Sequence, residues 1–332
     1  GPAYYMKYGL GNRWMGILFA VLMIITFGFA YNSVQSNTIC LAWQKAFGIE
    51  PATMGIVLTA LTLLIIFGGI QRVAKFSSTV VPVMAVVYLL IAVGVVVWNI
   101  ASLPKVLLAI VENAFGFNQA AGGVLGVTVI QGIKRGLFSN EAGEGSAPNA
   151  AAVATVSHPV KQGLIQALGV FTDTLVVCSC TAFIILVSGV DVTASNGIQL
   201  TQDALTHEIG SIGNPFVAVM IWLFAFSSII GNYYYGETNV RYIRDSKLGV
   251  FIYRLAVAAM VMVGAVVSLD FAWSFADITM ALLTLCNLVA IVLLSRQAVF
   301  LLQDYRQQKK EGKNPVFSKD KMPEIADKLE AW

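Results

Sequence analysis

Three polar stretches interrupt the apolar runs of this 332-residue chain, and their residue types nominate its chemistry. The first is GIKRGLFSNEAGEGSAPN, residues 132–149. Gly132, Gly136, Gly143, Gly145 and Pro148 predict a helix that unwinds and exposes backbone carbonyl and N–H groups. Inside a membrane such a break is tolerated only where it lines a cavity or is buried in protein. A broken helix of this kind presents partial charges to an ion or a polar solute. An ordinary loop leading into a Gly-rich helix start is the alternative. The second stretch is FAFSSIIGNYYYGETN, residues 224–239. Ser228 and Asn232 are four apart and share a helix face, with Ser227 beside them. Two hydroxyls and an amide suit a monovalent cation and a small polar ligand; hydrogen bonding between helices is the competing role. The third is YNSVQSNT, residues 31–38, where Asn32, Gln35 and Ser36 fall on one side of a helix. They form either inter-helix contacts or the wall of a polar path. Asp173 is a lone carboxylate in an apolar run, expected to pair with a neighbouring donor.

The elements that must carry these residues are membrane helices. Hydrophobic residues make up 57% of the chain and charged residues 12%, with a mean hydropathy of +0.75. Soluble domains hold about 25% charged residues, so the composition excludes a soluble enzyme, a disordered protein and a nucleic-acid binder. Eight spans are predicted, over 14–40, 54–70, 78–99, 121–155, 162–190, 215–237, 250–269 and 274–303. Residues 103–115 are too short and polar to cross and predict an interfacial helix; 201–209 is a second short amphipathic piece. If the first loop is cytoplasmic and the chain alternates, nineteen of the 21 Lys and Arg residues fall inside. Only Lys45 and Lys105 fall outside. That asymmetry obeys the positive-inside rule and predicts both ends of the chain in the cytoplasm. The basic stretch 306–332 reads as a solvated tail. An opening of Gly1-Pro2-Ala3 without an initiator Met predicts that further sequence lies upstream.

Other chemistries lack their signatures. There is no Walker A pattern, no HExxH and no paired GxGD, which counts against ATP-driven transport and the common intramembrane proteases. Cys40, Cys178, Cys180 and Cys286 lie in apolar runs and read as free thiols packed as small hydrophobes. No metal site or cofactor is expected. His158 and His207 receive no role.

GIKRGLFSNEAGEGSAPNAAA (132–152) resembles the signature segment of the alanine or glycine:cation symporter family, the sodium:alanine symporters. FAFSSIIGNYYYGE (224–237), NSVQSN (32–37) and the opening GPAYYMKYGLG (1–11) resemble further family segments in the same order. The resemblance extends to about residue 305. It implies an all-α integral membrane protein with the inverted-repeat amino-acid/cation symporter fold, eight spans being present of eleven. Residues 1–305 would form the symporter domain, with the end of the first repeat at 14–99 and the second repeat at 121–303. The family's first broken helix would lie upstream. Glu144 departs from the family pattern, which has Met there in many members.

The resemblance also implies roles. Ser227 and Ser228 would bind the coupling cation, sodium or a proton. Phe138, Ser228, Asn232 and Gln35 would contact the amino acid. Gly132, Gly136, Gly143 and Gly145 would shape the broken helix. The expected activity is uptake of a small neutral amino acid such as alanine or glycine across the cell (inner) membrane, driven by the cation gradient. The alternatives are a non-transporting remnant with a binding role and a membrane-embedded enzyme, although no nucleophile–base pair is visible for the latter.

Overall fold

The computed structural model describes residues 1–68, 70–115, 122–323 and 326–329, with side chains omitted at 70–77, 79, 80, 122–128 and 328. All regular structure among them is helical. A short α1 (Pro2–Tyr8) leads into α2 (Arg13–Met23). A wide π turn at Ile24–Tyr31 continues it into α3 (Asn32–Phe47), so that residues 13–47 form one rod. Then follow α4 (Pro51–Gly68), α5 (Ile70–Trp98), α6 (Leu103–Ala114), α7 (Gly122–Asn140) and α8 (Ser146–Ala151). A second π turn, Asp173–Val177, joins α9 (Pro159–Thr172) to α10 (Cys178–Ser188). The chain ends in α11 (Ile198–Ile209), α12 (Gly213–Ile243), α13 (Lys247–Val266) and α14 (Leu269–Lys310).

Side-chain caps mark where these helices begin. Asn12 accepts from the Met15 N–H at 3.0 Å, Ser246 from Gly249 at 3.3 Å and Ser268 from Phe271 at 3.3 Å. Each satisfies an N–H that has no partner within its own helix. Seven helices among the described residues are long and apolar enough to cross a membrane. They match seven of the predicted spans; α6 and α11 match the two short amphipathic pieces. The remaining expected span, 121–155, is divided into α7 and α8, and its first residue lies outside the described ones.

Outward surfaces are apolar, as lipid requires. On α14, Phe271, Ile278, Leu282, Leu285, Val289 and Val292 are exposed at helical spacing. Its inner face is lined by Ala272, Ala276, Thr279, Leu283 and Ala290. With no hydrophobic drive between helices in lipid, association rests on close backbone approach and hydrogen bonds. Both operate between α3 and α13. A Cβ on Gly264 would lie 2.5 Å from the Ser33 backbone, so only glycine fits there. Ser36 donates to the Val261 carbonyl at 2.6 Å, and Asn37 donates to Gly264 and Val267 at 3.0 and 2.8 Å. The polar stretch of α3 therefore holds helices together over most of its length.

The segment after α14 is exposed over most of its length, as a solvated tail would be, but part of it is docked. Residues 313–321 fold back on the α8–α9 connection. Phe317 is buried, and its N–H donates to the Ser157 carbonyl at 2.8 Å. Ser157 Oγ donates to Pro315 O at 2.9 Å, and Lys161 to Asn314 at 2.7 Å. The Gln308 amide both donates to and accepts from the Val316 backbone, at 2.9 Å each way. Beneath them His158, fully buried, meets Asp304 at 3.2 Å with the rings of Tyr305 and Phe317 against it. Lys321 pairs with the other oxygen of Asp304 at 2.6 Å. Phe317→Ala should release this strap. Limited proteolysis should then cut after Lys313 or Lys319 several-fold faster than in the parent protein; equal rates would show that Phe317 does not anchor it.

Candidate functional site

The break in the α7–α8 helix lies at Glu141–Gly145. This narrows the expectation of an unwound stretch over 132–148. Gly132 and Gly136 sit within helical α7 facing open space, and a Cβ on either would meet nothing within 4 Å. They are not part of the break, because a glycine weakens a helix without having to end it. Gly143 and Gly145 do belong to it. Their φ values of +88° and +90° are left-handed, where a side chain is strained, and Glu141 between the helices is itself at +54°.

Side chains from neighbouring elements answer the backbone groups that the break leaves open. Asn287 of α14 donates to the Gly143 carbonyl at 2.8 Å and in turn accepts a hydrogen bond from the Tyr5 hydroxyl of α1. Asn149 donates to Gly145 O at 3.0 Å, and Asn140 Oδ1 accepts from the Ala142 N–H at 2.9 Å. Tyr31, at the end of the first π turn, donates from its hydroxyl to Glu144 Oε1 at 2.7 Å. The second π turn meets the end of α7: Ser139 donates to Asp173 at 2.6 Å and Asn140 to Thr174 at 2.9 Å. Asp173 thus finds the neighbouring donor expected of it. The first π turn thus touches the break and the second touches the last residues of α7 before it; π turns are a local widening often found at functional sites.

An aromatic layer backs the break. Phe138 lies with its ring centroid 4.6 Å from both Tyr31 and Trp273, and Tyr31 is 4.7 Å from Phe27. The Arg135 guanidinium covers Trp273 at 4.1 Å and is ion-paired with Asp277, which Lys134 also approaches at 3.3 Å. Both basic residues of the signature stretch are therefore held by one carboxylate of α14.

The residues expected on α12 bond other partners. Ser227 and Ser228, half-buried, each donate to Phe224 O, at 2.7 and 3.1 Å. Their hydroxyl oxygens retain lone pairs that could face a cation. Asn232 is buried and donates to Asn32 Oδ1 at 3.2 Å, while Asn32 donates to the Gly28 carbonyl at 3.0 Å. This amide pair fastens α12 to α3. Gln35 is half-buried on α3. Among the described residues no group of His, Cys, Asp and Glu is arranged to hold a metal ion. Sequence reasoning missed Tyr31, Asn287 and Trp273 as members of the site; each lies at least 100 residues from, or outside, the signature segment they serve.

A family model for the sodium:alanine symporter family matches residues 1–319. The chain belongs to that family. It is 55% identical over 321 residues to the probable sodium/glutamine symporter GlnT of Bacillus subtilis, covering 96% of this chain and 67% of that one. It is 51% identical to the amino-acid carrier protein AlsT of the same organism, over 100% of this chain and 71% of that one. The sodium/proton-dependent alanine carrier protein of Bacillus sp. (strain PS3) is 37% identical over 90% of this chain and 71% of its own length. This family member is accordingly a multi-pass membrane protein of the amino-acid:cation symport class, and not an enzyme.

Asn287 is the residue whose loss the break should feel most. Asn287→Ala strips the partner from both the Gly143 carbonyl and the Tyr5 hydroxyl. An unsatisfied buried polar group costs about 1–3 kcal/mol. The thermal midpoint of the detergent-purified variant should fall by several degrees; an unchanged midpoint would mean that water replaces the amide freely.

Proposed function

We propose that this protein moves sodium down its gradient to drive uptake of a neutral amino acid by alternating access. Alanine and glycine are the first candidates, and glutamine joins them through the name of a relative. The observation that carries the reading is a partly buried, side-chain-clamped helix break inside a chain that matches the symporter family over 319 residues. The second candidate cation is the proton, which appears in the name of the Bacillus sp. relative.

In this reading Phe138 forms a wall of the amino-acid pocket at the break, with Gln35, Ser228 and Asn232 on the α3 and α12 side. Ser227 and Ser228 supply hydroxyl ligands to the cation. Cation and amino acid drive one another because both favour the same conformation. Residues 14–99 end one repeat and 121–303 form the next. The protein resides in the cell membrane with both chain ends cytoplasmic, a placement supported by the nineteen-to-two division of basic residues.

Uptake by proteoliposomes tests the roles. Ser228→Ala should weaken sodium dependence five- to a hundred-fold, equivalent to about 1–3 kcal/mol for one lost ligand among several. Phe138→Ala should raise KM for the amino acid and leave the sodium dependence in place. Unchanged sodium dependence in the first variant would make Ser228 a purely structural residue.

A further inference from the structure

The break carries two carboxylates, Glu141 and Glu144, that the proposed function leaves without a task, and Glu144 is the more deeply enclosed. It is fully buried, at 0% exposure. Oε1 accepts from the Tyr31 hydroxyl at 2.7 Å, and Oε2 has no hydrogen-bond partner. A buried ionised carboxylate with one oxygen unanswered is costly, and the usual remedy is a basic partner. Among the described residues none is paired with it. Lys134 and Arg135, the nearest basic residues in the chain, are both engaged by Asp277.

The other ionisable groups around it supply no compensating charge, and one of them, Glu141, is a second carboxylate. Glu141 lies three residues earlier in the same break. Asp173, on the second π turn, is bonded to Ser139, and Asp277, on α14, is neutralised by its two basic partners. From α1 Tyr5 is bonded to Asn287, and from α12 Tyr235 packs on Phe27 beneath Tyr31. None of these supplies a positive charge to Glu144.

We propose that Glu144 is a proton-binding site built into the helix break, separate from the hydroxyls of Ser227 and Ser228. The reaction is the addition of one proton to the Oε2 lone pair, converting the carboxylate into a neutral carboxylic acid; release is the reverse. A proton requires only that lone pair. A metal cation would require about six oxygens. Binding removes the repulsion with Glu141, so proton occupancy sets the electrostatics of the segment that must rearrange during transport. Tyr31 tunes the site, because its donated hydrogen bond favours the charged form.

The assay of transport rests on the symport reading; a spectroscopic readout does not. Infrared difference spectra of the purified protein, titrated with acid, should show a protonated-carboxyl band that Glu144→Gln abolishes. Sodium-driven amino-acid uptake should depend on pH in the parent protein and lose that dependence in Glu144→Gln, with sodium dependence retained. Should Glu144→Gln fail to fold, Tyr31→Phe replaces it: loss of the donated hydrogen bond should move the titration of the band upward by up to about one pH unit, a tenfold change in proton affinity. An identical band in Glu144→Gln, an unshifted titration in Tyr31→Phe, or a band that follows sodium concentration at fixed pH would each overturn the proposal. Absence of uptake by the parent protein would count against the symport reading alone, since the band is scored without transport.

Discussion

Lipid offers no hydrogen bonds, so a helix that stops partway through an apolar region must have its backbone answered by other parts of the same protein. The five residues from Glu141 to Gly145 impose that demand here, and the surrounding structure meets it from several directions. Asn287 reaches in from α14, Asn149 and Asn140 from the two halves of the broken helix, and Tyr31 from the rod formed by α2 and α3. Because Asn287 also takes the Tyr5 hydroxyl, the first helix of the chain is tied to the same point. The aromatic layer of Phe138, Tyr31, Phe27 and Trp273 closes the apolar side. The positions of α1, α3, α7 and α14 relative to one another follow from satisfying one short unwound segment.

How much of this the sequence disclosed depended on whether the signal was local. Span positions, the two amphipathic pieces and the family motifs are local patterns, and they were readable. The existence of a break was readable too, but its limits were not. Glycine content marks where a helix can end, whereas the left-handed backbone at Gly143 and Gly145, absent at Gly132 and Gly136, is decided by what packs nearby. The polar stretch on α3 could be read two ways from its spacing. Its partners, the Val261, Gly264 and Val267 carbonyls, lie more than 200 residues away, and only the fold could choose between them.

The tail makes the same point from the other end. Between 306 and 332 the charge density reads as solvated chain, and Phe317 is one of a few apolar residues that show no periodicity. Its burial beside His158 comes from a meeting of segments about 160 residues apart. Glu144 was visible in the sequence as a departure from a pattern, but nothing local could say that its carboxylate would be enclosed with only a tyrosine for company.

The contact between Gly264 and Ser33 bears on how the molecule can move. Two backbones touch here with no side chain between them, and the hydrogen bonds of Ser36 and Asn37 to the α13 carbonyls fix their register. Sliding of α3 along α13 would break those bonds, and the amide pair of Asn32 and Asn232 joins α12 to the same two helices. In the proposed transport cycle these three helices would move as one body, and a rocking or hinging motion would bend where the helical ladder is already irregular: at the two π turns and at the break.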